Sequence, residues 1–330
     1  MLRSHFVLAV VSWAASALGL HSRPASAQPA QRLAVIGYLA QRAGPWHLDA
    51  VFLEGLRDLG YVEGRHFRME YRWGPNASDL PALAADLVRA RVDVIVSSGY
   101  PGNKAVKDAT TSVPIPVVMA TSGDAVQEGL VATLSRPGGN ITGLSVLNRE
   151  LSGKRLEVIR EAVPGLKRIG ALFNGSNPAM PPQFNEVRAA AQSLGLQALP
   201  MDVSFPNGIE SAFADAAKSG VGAVMVLSDS STIAHRAELS AAAIRHRMPT
   251  IFSNRDYIRA GGMMSYGPNL ADNFRRAAHY VDRILKGANP SAMPVEQPTR
   301  FELVINRSTA KALGLAMSQS LLLRAEDFVD

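Results

Sequence analysis

The stretch Arg32-Leu-Ala-Val-Ile-Gly-Tyr38 decides the fold, because it is a short continuous apolar run that a helical pattern soon follows. That helical pattern, Leu48–Leu59, carries Phe52 and Leu56 on one side and ends before a glycine. A continuous apolar strand indicates burial on both faces, which is typical of parallel sheets. The pair predicts the first strand and crossover helix of an α/β fold.

The alternation of strand and helix continues along the chain and occurs in two similar series. The predicted strands are 32–38, 67–71, 92–97, 116–120, 168–173, 197–202, 223–227, 250–253, 263–266 and 301–305. The predicted helices are 48–59, 79–90, 104–110, 129–134, 152–163, 183–194, 209–219, 233–246 and 269–285. We therefore expect two doubly wound parallel-sheet lobes joined by a three-strand hinge.

Glycine pairs mark where the chain would cross between the lobes. A first crossing is predicted over 141–147, a return near 261–268, and a third crossing at 301–305. The predicted N-terminal lobe comprises 28–143 plus 267–290, and the C-terminal lobe comprises 144–266 plus 291–330.

The first 27 residues have the layout of a cleaved secretory signal. A basic start containing Arg3 precedes the uncharged stretch Phe6–Leu20, and Ala25-Ser-Ala27 supplies small residues for cleavage near Ala27. The apolar stretch is shorter than the ~20 residues of a spanning helix. The chain contains no cysteine, which excludes disulfides, thiolate catalysis and a lipid-anchoring cysteine. We expect a periplasmic protein of a Gram-negative bacterium.

Composition and motifs argue against several functional classes. The net charge of +6 is spread among acidic residues, so we expect no nucleic-acid partner. The glycine-rich Gly138–Gly143 precedes a strand instead of following one, which does not match a dinucleotide loop. Neither a phosphate-loop, a nucleophile-elbow nor a zinc-protease motif is present. We expect no cofactor, no metal and no catalysis.

Polar loops follow the predicted strands, and ligands of open parallel sheets bind beyond the carboxyl ends of strands. The candidate ligand-binding residues are Gln41, Ser98, Gly99, Tyr100, Thr121, Asp124, Asn174, Asn177, Asp229, Ser253 and Tyr266. Free backbone N–H groups there favour a carboxylate, Asp124 and Asp229 suit an ammonium group, and the tyrosines suit a flat ligand. Helix capping is the alternative role for these side chains. For Trp46, ligand contact and ordinary packing are both open.

The chain resembles the ABC-transporter substrate-binding proteins of the tryptophan/tyrosine type, a branch of the type I periplasmic binding fold. The similar stretches are 36–39, 52–64, 132–143, 261–267, 298–306 and 310–315, among which Arg136-Pro-Gly-Gly-Asn-Ile-Thr-Gly143 is the most specific. Asp229 falls in the family's second-lobe cleft loop, and Asp124 falls where the family has Asp before Pro-Val, here Ala125-Val126.

The resemblance implies a monomeric receptor that closes on a small solute, an amino acid or an aromatic carboxylate, and presents it to an ABC permease in the inner membrane. A ligand-sensing module that signals to a membrane receptor is the alternative. An enzyme is a third possibility, but the sequence does not pair a nucleophile with a base in one set of loops.

Overall fold

Two mainly parallel sheets organise the computed structural model, which describes residues 32–330 except 149 and 206. The first sheet comprises β1 (Ala34–Ala40), β2 (Phe67–Trp73), β3 (Val94–Ser98), β4 (Val117–Thr121) and β5 (Ile141–Gly143). The second sheet comprises β6 (Arg168–Phe173), β7 (Gln197–Asp202), β8 (Ala223–Val226), β9 (Thr250–Phe252), β10 (Met264–Pro268), β11 (Phe301–Asn306) and β12 (Asp327–Val329). The predicted signal, 1–27, lies outside the described residues.

The strand orders explain where a ligand site can form. The first sheet runs β2-β1-β3-β4-β5 and is parallel throughout. The second runs β12-β11-β10-β9-β8-β6-β7, so that β7-β6-β8-β9-β10 repeats the order of the first. Each sheet therefore has a switch point, between β1 and β3 and between β6 and β8, where ligands of doubly wound folds bind. The pair β10–β11 is antiparallel, which the purely parallel expectation did not include.

Helices cover both faces of each sheet. They are α1 (His47–Asp58), α2 (Leu80–Arg89), α3 (Gly99–Ala109), α4 (Ser152–Ala162), α5 (Met180–Ser193), α6 (Ile209–Lys218), α7 (Ser230–Ala234), α8 (Arg236–Arg245), α9 (Arg255–Arg259), α10 (Leu270–Leu285), α11 (Arg307–Ala312) and α12 (Gln319–Arg324). Short 3₁₀ turns occupy Ala77–Asp79 and Pro290–Ala292. Across the described ranges, no helix combines the length and apolar character that crossing a bilayer requires.

One of the helices that pack on the first sheet, α10, comes from late in the sequence. Phe52 and Leu56 of α1 share a buried cluster with Phe274 and Ala278 of α10, on one face of this sheet. At Gly55, an added Cβ would lie 2.9 Å from the Ala278 Cβ, so these two helices pack closely. The opposite face is covered by α2 and α3. On the second sheet, α4 and α5 pack on one face and α6, α8 and α9 on the other.

Three chain segments cross between the sheets, over 144–151, 268–270 and 293–300. The first and third pair through an isolated bridge between Leu144 and Glu296. The sequence predicts the third crossing at 301–305, but Phe301–Asn306 pairs with β10 within the second sheet. The third crossing therefore lies just before this strand, over 293–300. Leu33–Asp330 form one compact unit, and the lobe boundaries given above remain predictions.

Several helix boundaries differ from the sequence prediction. The helix expected at 129–134 is wrong: this segment is turns, and Gly129 has a φ of 67°, which the right-handed helix does not allow. The helix expected at 233–246 is two helices, α7 and α8, separated at His235. Both α3 and α5 begin earlier than predicted, with prolines in their first turns, where proline fits a helix.

The Gly-Gly-Asn-Ile-Thr-Gly segment, 138–143, has a structural role. Asn140 Nδ2 donates to Thr110 Oγ1 (2.9 Å) and to the Ile115 carbonyl oxygen (2.7 Å). Gly143 lies against the β4 backbone with a φ of 136°. A Cβ at Gly143 would lie 2.2 Å from the carbonyl oxygen of Met119 and 2.5 Å from its amide nitrogen. Only glycine permits this contact at the start of the first crossing.

We expect Gly143→Ala to lower the free energy of unfolding by about 1–3 kcal/mol, because the added methyl overlaps backbone atoms that cannot move independently. The matched control is Gly139→Ala, where a Cβ would meet nothing within 4 Å. Urea denaturation of both variants checks this. Equal stability of the two variants would show that the β4–β5 contact accommodates a side chain.

Candidate functional site

A cavity of about 120 Å³ lies between the two sheets, beyond the carboxyl ends of their parallel strands. Its wall combines the starts of α1 and α3 with the segment after β4 from the first sheet. The segments after β6, β8 and β9 contribute from the second sheet, and Val146, Asn148, Pro268 and Leu270 contribute from the crossings. Its size is comparable to the ~150 Å³ cavity that admits benzene in an engineered protein. It therefore suits one small organic solute.

The structure places most of the predicted site residues on the cavity wall. Ser98, Gly99, Tyr100, Thr121, Asp124, Asn177, Asp229 and Ser253 line it. Gln41, Asn174 and Tyr266 are absent from the lining. Asn174 instead supports Asp229 from behind, while the Tyr266 ring stacks on Phe301 at 6.3 Å between centroids. Whether any of the eleven contacts a ligand remains a prediction.

Asp229 is a half-buried carboxylate of this wall, which Asp124 and Glu128 also line. Its Oδ1 accepts the Thr232 backbone N–H at 2.8 Å and caps α7. Its Oδ2 accepts from the side-chain amides of Asn174 (3.2 Å) and Asn177 (3.4 Å). Burial raises the pKa of Asp229, while these hydrogen bonds act in the opposite direction. An ammonium group of a solute beside this carboxylate would stabilise its ionised form and so oppose the effect of burial on the pKa. Asp229 can therefore cap α7 and bind a solute at the same time.

Three buried polar atoms of the wall make no hydrogen bond within the part of the chain that the structure describes. They are Trp46 Nε1, Ser122 Oγ and Gln183 Nε2. Two are obligate donors and the hydroxyl can donate or accept. Buried polar groups of folded proteins are normally paired. The residues that carry these atoms line the cavity, where the polar groups of a solute would face them.

An aromatic surface lies beside these polar groups. The Trp46 ring meets Phe274 edge-to-face, with the centroids 6.0 Å apart. Tyr100, Ile233 and Met180 also line the cavity. Small-molecule sites typically combine such an apolar wall with a few placed polar groups. The arrangement suits a solute with a flat apolar part and a polar end.

Two close approaches join helices of the two sheets beside the cavity. His47 Nε2 of α1 lies 3.2 Å from Asp256 Oδ1 of α9. Burial raises the pKa of Asp256, and His47 and nearby arginines act to lower it. Gly99 approaches α7 so closely that a Cβ would lie 2.7 Å from Ser230 Oγ. The two halves of the molecule therefore meet directly beside the cavity.

Sequence reasoning missed Ser122, Asn148, Gln183 and Phe274. The prolines at 181 and 182 predict an earlier start for α5 and would have moved Gln183 toward the cleft end of that helix. No local signal marks Asn148, because its place on the wall depends on where the first crossing runs. In the described ranges, no three His, Asp or Glu side chains cluster as metal ligands would.

Known proteins share this fold. A tyrosine-binding protein of Clostridioides difficile (strain R20291) is 26% identical over 270 residues, 80% of this chain and 75% of that protein. A conserved domain protein from Vibrio cholerae O1 biovar eltor has a TM-score of 0.84 at 26% identity, covering 90% of this chain and 100% of its own. An ABC domain from Streptococcus pneumoniae in complex with L-Trp has a TM-score of 0.80 at 27% identity, covering 89% and 100%.

These similarities confirm the α/β architecture with two doubly wound sheets that the sequence predicted. Residues 47–329 match the family model described as ABC transporter substrate binding protein. Because that match spans most of the chain, the protein belongs to the ABC transporter substrate-binding protein family.

Proposed function

We propose that this protein is a receptor that encloses an aromatic amino acid, or a related aromatic carboxylate, between its two sheets. The observation that carries the proposal is the cavity wall, where Trp46, Ser122 and Gln183 hold buried polar atoms that no described residue partners, beside an aromatic surface. A solute with a flat ring and polar substituents satisfies both parts of that wall.

The relatives support the same chemical class. One similar structure holds L-Trp, and one similar protein is a tyrosine-binding protein. Burial raises the pKa of Asp229. A nearby ammonium group, which such amino acids carry, would favour the ionised carboxylate. We further propose export by the signal at 1–27, a monomeric state and delivery of the solute, chemically unchanged, to an ABC permease. The signal pattern and the family membership support these steps.

Thermal unfolding with a solute panel tests the proposal. We expect L-tryptophan, L-tyrosine or 4-hydroxybenzoate to raise the melting temperature, because a ligand at ~100 times its Kd stabilises the fold by ~2.7 kcal/mol. L-Alanine and L-glutamate, which lack a ring, serve as controls. An absence of any shift from the aromatic solutes at millimolar concentration would contradict the aromatic assignment.

Asp229→Asn should weaken binding of an aromatic amino acid by about 2–5 kcal/mol, the range for truncating a buried charge pair. The amide keeps an oxygen that can cap α7, so the fold should persist. The control is Asp215→Asn, an exposed carboxylate paired with Lys218. Titration calorimetry of both variants measures the difference, and equal affinities would remove Asp229 from the site.

Binding should also depend on pH through Asp229. Because its pKa is raised in the ligand-free fold, the ionised form that attracts ammonium is complete only above that raised value. Affinity should therefore fall as the pH drops through the pKa, and Asp229→Asn should abolish this component. Calorimetry across an acidic pH series checks this, and an identical pH profile in the variant would contradict it.

Closure of the two halves should be sensitive to Gly99. Its φ of 72° costs a non-glycine residue about 1–2 kcal/mol, and a Cβ there would lie 2.7 Å from Ser230 Oγ. We expect Gly99→Ala to weaken solute binding by more than it lowers stability. Adding Ser230→Ala removes the facing hydroxyl and should restore part of the affinity while leaving the backbone strain. If Ser230→Ala does not restore any of the lost affinity, the Ser230 contact does not limit closure.

A further inference from the structure

Arg155 is a fully buried cation whose partners are all neutral. This α4 side chain is 2% exposed. Its Nε donates to the Tyr266 carbonyl oxygen (2.7 Å), its Nη1 to the Asn148 carbonyl oxygen (2.9 Å) and its Nη2 to Asn148 Oδ1 (3.2 Å). Among the described side chains, no carboxylate lies within ion-pair distance of it. Burial lowers the pKa of Arg155 to about 10, so the guanidinium remains charged near neutral pH.

A buried charge without a counter-ion is strongly unfavourable, and buried ions of folded proteins are normally paired. Arg155 lies directly behind the cavity wall. Its Nη2 would be 3.2 Å from a Cβ at Gly267, which precedes the wall residue Pro268, and its partner Asn148 is itself part of the wall. An anion that enters the cavity beside Asn148 would supply the charge that the protein lacks there.

Asn148 can carry this effect to the solute. Its Oδ1 accepts from the guanidinium, which fixes the amide orientation and leaves the two Nδ2 protons as donors. No described residue accepts from this nitrogen. Ser122 lies on the same side of the cavity, because its carbonyl oxygen accepts the Val146 N–H at 2.9 Å. Its buried hydroxyl, 1% exposed, has no partner within the described chain.

We propose that the solute carries a carboxylate seated at the crossing side of the cavity, against Asn148 Nδ2 and Ser122 Oγ, with Arg155 as the positioning residue behind them. This inference rests on the proposed receptor function and names the polar end of its solute. Asp229 is one of three carboxylates on the same cavity, with Asp124 and Glu128. Together with the buried Arg155 behind the wall, Asp229 complements the two charges of a zwitterion.

The test is Asn148→Asp, which places a carboxylate beside Arg155 and a negative charge in front of the solute carboxylate. Calorimetry compares L-tyrosine with tyramine and L-tryptophan with tryptamine, pairs that differ only by the carboxylate. We expect affinity for the amino acids to fall about tenfold or more, since facing like charges repel, and affinity for the amines to hold or rise. A matching loss for amino acids and amines would overturn the inference.

Asn185→Asp is the matched control, because Asn185 is exposed on α5, its side chain makes no hydrogen bond among the described residues, and the charge change is identical. Without solute, Asn148→Asp should melt about 2 °C or more above this control, since it supplies the counter-ion that Arg155 lacks. A lower or unchanged melting temperature would count against the uncompensated charge.

The two proposals fail differently. A wild-type protein that binds neither amino acids nor 4-hydroxybenzoate would end the proposed function and this inference with it. A wild-type protein that binds L-tyrosine, beside an Asn148→Asp variant that binds it equally well, would end only the inference.

Discussion

Two backbone hydrogen bonds hold the halves of the molecule in register. Ser145 N donates to the Glu296 carbonyl oxygen and Glu296 N donates to the Gly143 carbonyl oxygen, each at 2.9 Å. They tie the first crossing to the third, and Arg155 ties the first crossing to Tyr266 in β10 of the second sheet. The strand ends of both sheets consequently face one shared gap, and every feature of the cavity depends on that placement.

Burial gives the cavity its chemistry. Removal from water raises the pKa of Asp229 and lowers that of Arg155, so each charge is held at a cost that the protein only partly offsets. Amide groups from Asn174, Asn177 and Asn148 surround these charges but carry none themselves. Electrostatic interactions are stronger in such a poorly hydrated space than at the surface. The wall is thus prepared for a molecule that brings charges of its own.

Much of the architecture could be read from the chain because strands and loops leave local signals. Continuous apolar runs such as 168–173 became strands, and the polar residues directly after them, such as Asn177 and Asp229, reached the cavity. Helix starts are harder to predict, since Gly99 and Met180 precede prolines, which are common in loops as well as in the first turn of a helix. Arg155 falls in a predicted helix, but its role could not be predicted, because that role arises from a contact with Tyr266, 111 residues away. The role of Asn148 depends in turn on its hydrogen bonds with Arg155. At 129–134 the sequence pattern predicts a helix that does not form, and Gly129 at its start has a left-handed backbone conformation.

The late position of α10 affects the order in which the molecule can be assembled. Phe52 and Leu56 of α1 pack on one face of the first sheet together with Phe274 and Ala278 of α10. This packing cannot form until residue 285 has left the ribosome. The early half of the polypeptide therefore cannot complete its own interior while synthesis continues. Contacts between segments so distant in sequence slow folding and leave apolar surface exposed in the interim. A nascent chain of this design stays incompletely folded for most of its synthesis, which keeps its apolar surface accessible to chaperones.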